Sequence, residues 1–249
     1  MTPTPRTTTA AIALGAIAVA AVSCSSEPVE PPAFALTSAN VVVPAGDTYP
    51  VNLIFVASDG DPIWTDLSGI ALPGDASVGP GEFDVIRGDG SGGYHLGNIT
   101  LELSADEGLT FDSVGLIYTD ATEPVSVDVG SWTLAEAAPD DFATADTKAE
   151  VAAMAGCTSA DLPIPDTVTA VTEFRTGSPD VEVDDATLDE ESPSLRITLT
   201  CTDTADFHVI SPALDYTDAD GAAQTARLAP IAIGFQDIDD ADLARIRSR

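Results

Sequence analysis

The chain repeats part of itself at a spacing of 98 residues. Nine positions between residues 99 and 121 are identical to those between 197 and 219. The matched residues are Ile99-Thr100-Leu101, Ser113, Leu116 and Tyr118-Thr119-Asp120-Ala121. Self-similarity at a fixed period predicts two copies of one structural unit, each of about 100 residues.

Short segments in which apolar and polar residues alternate run through both copies. Ile99–Leu103 and Leu195–Cys201 have the period of two that is typical of β-strands. Asp-Gly pairs at 59–60, 89–90 and 220–221 suit tight hairpin turns, because glycine accepts a positive φ. We therefore predict an all-β fold of two tandem immunoglobulin-like β-sandwich domains, at 34–130 and 131–236.

Three features of the predicted sandwiches depart from this pattern or add detail to it. Residues 147–155 are rich in good helix formers and are followed by Gly156, which predicts a short helix in the second domain. Residues 237–249 form either a second short helix or a tail. Tyr118 and Tyr216 occupy equivalent places, and we expect half-buried rings with hydroxyls bonded to the backbone, an arrangement that resembles a tyrosine corner.

The N-terminus has the composition of an export signal. Arg6 precedes an unbroken apolar run from Ala10 to Val22, which is too short to span a bilayer. The run ends in Ala21-Val22-Ser23-Cys24, which resembles the lipobox of bacterial lipoproteins. The resemblance implies that residues 1–23 are removed as a signal peptide and that Cys24 carries fatty-acyl chains such as palmitate. An ordinary cleaved signal peptide is the alternative.

A lipidated Cys24 places the protein on the extracytoplasmic face of the cell membrane, with the lipid bilayer as its first partner. Two or three acyl chains give stable anchoring without a membrane-spanning helix. Residues 24–33 are rich in proline and serine, and we interpret them as a tether between the lipid and the folded part.

Two cysteines remain after Cys24. Cys157 and Cys201 are 44 residues apart in the second predicted domain, and an even pair in an exported chain predicts a disulfide bond. The alternative, a metal-binding or redox pair, lacks nearby Cys or His partners at a suitable spacing.

The charge of the chain is strongly acidic, with 41 Asp and Glu against 9 Lys and Arg and a formal net charge of −32. This balance excludes general nucleic-acid binding, which depends on Lys and Arg. Asp215, Asp218 and Asp220 precede Gly221 and are weak candidates for calcium binding, with a solvated acidic loop as the alternative. We expect no other cofactor.

The usual catalytic patterns do not occur in the sequence. It contains neither a G-x-S-x-G elbow nor an H-E-x-x-H helix, and His95 and His208 both lie in strand-like segments, where we expect them to be exposed. We predict a non-enzymatic binding or scaffolding lipoprotein of the cell envelope, whose partner is an envelope protein, a surface polymer or a solute. The alternative is an extracellular hydrolase or a carbohydrate-active accessory domain.

Overall fold

The computed structural model describes residues 30–106, 108–143, 152–189, 194–236 and 238–249. These segments form β-strands and one α-helix. In chain order they are β1 (Ala33–Phe34), β2 (Thr37–Pro44), β3 (Thr48–Ser58), β4 (Leu67–Ala71), β5 (Ser77–Val78), β6 (Phe83–Ser91), β7 (Tyr94–Ser104), β8 (Leu109–Tyr118), β9 (Val125–Ala137), β10 (Ala152–Met154), β11 (Ser159–Pro163), β12 (Val168–Arg175), β13 (Val181–Leu188), β14 (Ser194–Cys201), β15 (Phe207–Ile210), β16 (Ala213–Asp218), β17 (Ala223–Arg227), β18 (Ile231–Ile233) and α1 (Asp240–Arg247).

The first half of the chain forms two sheets that pack face to face. One sheet has the strand order β1-β3-β7-β6, and the other contains β2-β9-β8-β4-β5. All of these neighbours are antiparallel except β2 and β9, which are parallel. This is the ABED and GFC arrangement of an immunoglobulin-like sandwich, with β2 as the strand that crosses between the sheets. The predicted all-β, immunoglobulin-like fold class is confirmed.

The second half repeats the same strand order. The sheet β11-β14-β13 corresponds to β3-β7-β6, and the sheet β12-β16-β17 corresponds to β4-β8-β9. Ile99 of β7 and Ile197 of β14, which the repeat aligns, both lie in a central strand and are fully buried. The 98-residue repeat in the sequence is therefore also a repeat in topology.

Two prolines make the second copy differ from the first. Pro212 separates β15 from β16, and Pro230 separates β17 from β18, where the first copy has the longer strands β8 and β9. Proline has no N–H to donate to a ladder, so each strand is interrupted there.

The freed segments β15 and β18 extend a sheet of the first copy. β15 pairs in parallel with β2, with Phe207 opposite Thr37, and the resulting eight-stranded sheet has the order β10-β18-β15-β2-β9-β8-β4-β5. Strand β9 runs across the predicted boundary between residues 130 and 131. The division of the chain into two domains at that point stays a prediction.

One glycine is required where β2 and β9 run side by side. Gly130 has φ +85°, and a Cβ there would lie 2.3 Å from the carbonyl oxygen of Thr37. The close approach of the two backbones therefore depends on the missing side chain.

The apolar side chains form two main cores and a smaller cluster between them. The first core lies between the sheets of the first copy around Phe55, Leu116 and Trp132, and the second is built around Leu195 and Leu214. The third cluster joins α1 to both copies, and its buried members are Ala35, Ile54, Val56, Phe207 and Ile246.

The predicted helix at 147–155 is wrong where the structure describes it. Residues 144–151 lie outside the described residues, but Ala152–Met154 form β10, which pairs in parallel with Ile231–Ile233 of β18. Pairing with a distant strand overrides the helical propensity of this short segment. The C-terminal segment does form a helix, α1, whose first turn is closed by a capping box between Asp239 and Asp242.

Candidate functional site

A cavity of about 310 Å³ lies between the two copies of the fold. One wall is an edge of β3, which β1 covers only near Phe55 and Val56. The other wall comes from β10, β15 and β18 of the second copy. Its lining residues are Tyr49, Pro50, Asn52, Ile54, Asn98, Trp132, Ala153, Val209, Ala232 and Phe235.

Tyr49 is one of the polar residues that line this cavity. The residue is 5% exposed, and within the described segments its hydroxyl makes no hydrogen bond. Burial raises the pKa of Tyr49 above its ordinary value, because a phenolate loses more hydration than a phenol. Tyr49 is therefore a neutral group that can both donate and accept a hydrogen bond.

Two asparagines complete the polar part of the cavity. Asn98 Nδ2 donates to Asn52 Oδ1 at 2.7 Å, and Thr100 Oγ1 donates to the same oxygen at 3.1 Å. Asn98 Oδ1 is buried and has no hydrogen-bond partner in the described part of the chain. A buried polar atom without a hydrogen-bond partner costs about 1–3 kcal/mol.

The sequence offers only a weak signal for these residues. Asn52 interrupts an apolar strand, Val51 to Val56, and Asn98 stands beside Gly97 in another strand. Neither position indicates that the two strands are adjacent or that a second copy covers them.

Two of the three predicted calcium candidates, Asp215 and Asp218, use their carboxylates in other contacts. Asp218 accepts hydrogen bonds from the side chain of Gln224 at 3.0 Å and the backbone N–H of Ala222 at 2.8 Å, and these bonds hold its pKa below the usual range. It also accepts from the N–H of Asp220. Asp215 pairs with Arg175 at 2.8 Å. Among the described residues no three His, Cys, Asp or Glu side chains are grouped to hold a metal ion, and calcium binding stays a prediction.

The two cysteines of the second copy are bonded, which confirms the predicted disulfide. Cys157 and Cys201 are joined with their Cα atoms 5.7 Å apart, so the start of β11 is linked to the end of β14 in one sheet. Cys24 and residues 1–23 lie outside the described residues, so lipidation stays a prediction. Within the described segments no helix has the length and apolar character needed to cross a bilayer.

The paired tyrosines are half-buried, as expected, but their hydroxyls are not bonded as predicted. Neither Tyr118 nor Tyr216 makes a side-chain hydrogen bond to any described residue. Burial raises the pKa of Tyr118 to about 12, with a smaller contribution from the charge of Asp61. Tyr118 ends its strand, β8, so the arrangement is not a tyrosine corner.

One histidine lies beside a serine and an aspartate, but the order of contacts is not that of a catalytic triad. Ser38 Oγ donates directly to Asp180 Oδ2 at 2.6 Å. His208 lies opposite Ser38 across the β2–β15 pair, and its Nδ1 has no hydrogen-bond partner in the described residues. In a triad the imidazole stands between hydroxyl and carboxylate. His208 is 4% exposed, so the expectation of an exposed histidine is wrong there.

The other histidine belongs to a surface cluster. His95 Nε2 lies 2.9 Å from Asp59 Oδ1, and Arg87 contacts the same carboxylate. The guanidinium of Arg87 lies 5.0 Å from the ring centre of Trp64. The Trp64 ring also contacts Phe55 of the core at 5.1 Å and the edge of His95 at 6.5 Å between ring centres. Trp64 therefore contacts both a core side chain and the surface cluster of Arg87 and His95.

Comparisons with known proteins give fold-level similarities only. No family model matches the chain, and no curated protein matches it. A solved structure of Down Syndrome Cell Adhesion Molecule isoform 1.30.30, its N-terminal eight Ig domains, matches with 12% identity and a TM-score of 0.25 over 83% of this chain and 28% of that one. SGBP-B of the Bacteroides ovatus mixed-linkage glucan utilization locus, in complex with a mixed-linkage heptasaccharide, matches with 16% identity and a TM-score of 0.23 over 81% of this chain and 47% of that one. This chain spans less than half the length of either protein.

Proposed function

We propose that the protein is a lipid-anchored, non-enzymatic binding module on the extracytoplasmic face of a cell membrane. The observation that supports a binding role is the cavity between the two copies of the fold. Its wall is mostly apolar and includes three polar side chains, those of Tyr49, Asn52 and Asn98. Cavities of this kind, mostly apolar with a few converging polar groups, are typical ligand sites.

The anchoring part of the proposal rests on the sequence before the folded part. Glu30 is six residues after Cys24. Its carboxylate accepts a hydrogen bond from the Tyr94 hydroxyl at 2.8 Å and lies 4.0 Å from Arg247 of α1. An extended chain spans at most about 3.6 Å per residue, so a lipidated Cys24 would hold this side of the molecule within roughly 20 Å of the bilayer.

Replacement of the anchoring cysteine tests the location. The Cys24→Ala variant should be found in the medium rather than in the membrane fraction, because no thiol remains to carry the acyl chains. Ser25→Ala, one residue further along, is the matched control and should stay with the membrane. Retention of Cys24→Ala in the membrane fraction would contradict lipid anchoring, whatever the outcome of a binding experiment.

Filling the cavity tests the binding role. Ala232 lines the cavity from β18, and Ala232→Leu would occupy part of its volume. Protein extracted from its own membrane should show a bound small molecule by native mass spectrometry, and Ala232→Leu should lose it. Equal retention by both forms would show that the molecule binds elsewhere.

A further inference from the structure

We infer that a second cavity, on the outer face of the sheet β12-β16-β17, binds the carboxylate group of a polar, hydroxylated ligand. The inference goes beyond the proposed function and does not depend on the cavity between the two copies. It rests on two arginines that face one space across an alanine, one of which has no acidic partner among the described residues.

Three neighbouring strands bring the two arginines to the same face of the sheet. Arg175 of β12 lies opposite Ala213 of β16, and Ala213 lies opposite Arg227 of β17. Residues directly opposite each other in antiparallel strands point to the same side. The neighbours Phe174 and Leu214 are buried in the second core, so the two arginines and the alanine point away from that core.

The cavity lies over this row of three side chains. Its volume is about 440 Å³, and Arg175, Ala213 and Arg227 all line it. Neighbouring strands are about 4.8 Å apart, so the Cα atoms of the two arginines are separated by roughly 10 Å across the central strand. Only the methyl group of Ala213 stands between them in this row, which leaves space for a ligand group that both guanidinium groups can reach.

The two arginines differ in their partners. Arg175 Nη2 lies 2.8 Å from Asp215 Oδ1, and Arg175 Nε lies 3.8 Å from Glu173. Arg227 is half-buried, and its side chain makes no ion pair or hydrogen bond with any described residue. The other six arginines of the described segments each lie within 4.0 Å of a carboxylate oxygen. Arg227 is therefore a cation without an acceptor in the described fold, although the chain has 41 acidic residues.

One positive charge in the cavity is left unbalanced. Because Asp215 pairs with Arg175, the unbalanced cation is Arg227. A half-buried guanidinium has lost part of its hydration, and an anion with one charge supplies both the opposite charge and the missing hydrogen bonds. A carboxylate matches the planar fork of N–H donors that a guanidinium presents. The ligand group at Arg227 is therefore a carboxylate.

The rest of the wall defines the body of the ligand. Asp141 lines the cavity with an exposed carboxylate, which accepts hydrogen bonds and repels a second negative charge. A phosphate ester carries about two negative charges at neutral pH, so it fits less well than a carboxylate. Ala213 has the one wholly apolar side chain among the described residues that line the cavity. The body of the ligand therefore carries hydroxyl groups, as sugar acids and hydroxy acids do.

Three monosaccharides of nearly equal shape test the inference: galacturonate, galactose and galactosamine. Galacturonate carries a carboxylate, galactose carries hydroxyl groups only, and galactosamine carries an ammonium that suits Asp141 and not Arg227. The experiment uses the full chain in phosphatidylcholine nanodiscs and measures dissociation constants by saturation-transfer NMR, with empty nanodiscs as the background. Galacturonate should bind saturably, and the other two sugars should bind at least about tenfold more weakly.

Replacement of the unpaired arginine tests its role. Arg227→Gln should weaken galacturonate binding about tenfold or more, because it removes the charge and the fork of donors. Arg196→Gln is the matched control, since Arg196 pairs with Asp161 in the other sheet of the second copy and its replacement changes the net charge equally. Arg196→Gln should bind galacturonate as the unchanged protein does. Equal losses in the two variants would show an effect of net charge and overturn the site.

A second variant fills the space without a change of charge. Ala213→Val places two methyl groups between the arginines, and valine is well accepted in strands, so galacturonate binding should weaken while the urea midpoint stays the same. Ala223→Val, at an exposed position of β17 outside the cavity, is the control and should bind normally. Arg227→Gln should also keep its urea midpoint, because the guanidinium contacts no described acceptor. Weaker binding in these variants then reports on the ligand contact and not on unfolding.

Each result either supports or overturns the inference. Galactose or galactosamine binding as tightly as galacturonate would overturn the carboxylate class, and equal galacturonate affinity in Arg227→Gln and the unchanged protein would overturn the site. Absence of binding by both galacturonate and trigalacturonate would overturn the inference as a whole. These outcomes are independent of Cys24→Ala and Ala232→Leu, so the proposed function is tested separately.

Trigalacturonate distinguishes the two sources of such a carboxylate. Tighter binding of the trimer than of the monomer supports the site and identifies a unit within an acidic polysaccharide. Equal affinity of the two supports the site and identifies a free sugar acid.

Discussion

The carboxylate of Asp206 joins three separate parts of the molecule. It accepts hydrogen bonds from the backbone N–H of Leu36 at 2.8 Å, from Arg245 at 2.6 Å and from Arg249 at 3.0 Å. The carboxylate side chain is completely covered, whereas the two arginines are partly exposed. Helix α1 is thus held against both copies of the fold through one acidic group.

Removing this carboxylate should release the helix. We expect Asp206→Ala to lower the free energy of unfolding by about 2–3 kcal/mol, because it leaves the backbone N–H of Leu36 and the guanidinium of Arg249 without this acceptor. Arg245 keeps its contact with Asp242 at 2.6 Å. In Asp206→Ala, hydrogen exchange of the α1 amides should become faster than in the unchanged protein, and by more than exchange of the β7 amides. Asp240→Ala, an exposed acid in the same helix, is the control, and equal effects of the two substitutions would contradict this role of Asp206.

A second residue-scale effect concerns pH. Burial lowers the pKa of His208 from its ordinary value of 6.5, although the nearby charge of Asp180 and a hydrogen bond with the Thr202 backbone act in the opposite direction. The unfolded chain therefore binds a proton at a higher pH than the folded chain. Above pH 6.5, His208 is neutral in both the folded and the unfolded chain and does not lower the free energy of unfolding. As the pH falls below that value, the unfolded chain binds the proton first and the free energy of unfolding decreases.

Urea denaturation at about pH 7.5 and about pH 5.5 measures this effect. The unchanged protein should be less stable at the lower pH, and His208→Leu should show a smaller loss between the two values. His95→Leu is the comparison, since His95 is a surface residue. If His208→Leu loses as much stability on acidification as the unchanged protein, the buried imidazole is not the cause of the pH dependence.

At the scale of elements, the disulfide stabilises the second copy, whose strands are shorter and more interrupted than those of the first. Its first sheet has three strands, and β15 and β18 leave the copy to join the neighbouring sheet. The bond between Cys157 and Cys201, 44 positions apart, closes a segment that contains β11, β12, β13 and β14. The bond thereby restricts the conformations of this segment in the unfolded chain.

Loss of the disulfide should destabilise the second copy strongly. Replacement of both cysteines by alanine should cost about 4 kcal/mol, the value expected from the entropy of a closed loop of this length. Urea denaturation measures the loss, and peptide mapping without reduction should recover Cys157 joined to Cys201. Recovery of both as free thiols, or an unchanged unfolding midpoint in the double variant, would contradict this account.

For the whole molecule, the dominant property is its charge. The formal net charge is −32 on 249 residues, so the acidic side chains repel one another in the folded state. The described ion pairs are mostly exposed and individually weak. Dissolved salt weakens this repulsion, because charges farther apart than about 10 Å are largely screened at an ionic strength of about 0.1 M, and the screening distance is shorter at higher salt.

Stability should therefore rise with ionic strength. We expect a higher urea midpoint in molar sodium chloride than in dilute buffer, and potassium chloride should act equally because the effect is one of screening. An unchanged midpoint would show that repulsion among the acidic groups does not limit the stability of the protein.

Much of the fold was predictable from local and periodic patterns. Alternation predicts strands, because successive side chains of a strand point to opposite faces, and the 98-residue repeat predicts a repeated topology. The Cys157–Cys201 bond followed from the number of cysteines in an exported chain. The helix predicted at 147–155 failed because propensity is a weak preference that pairing of β10 with β18 overrides.

The way in which the two copies are joined through the β2–β15 pair is visible only in the tertiary structure. Residues that meet across the β2–β15 pair, and the Leu36–Asp206 hydrogen bond beside it, are 170 positions apart in the chain. The cavity exists because that pairing brings Val209 and Ala232 over the uncovered edge of β3, next to Tyr49 and Asn98. Periodicity and composition report only on residues that are close in the sequence. Contacts between residues so far apart depend on which sheet edges remain unpaired after both copies have folded.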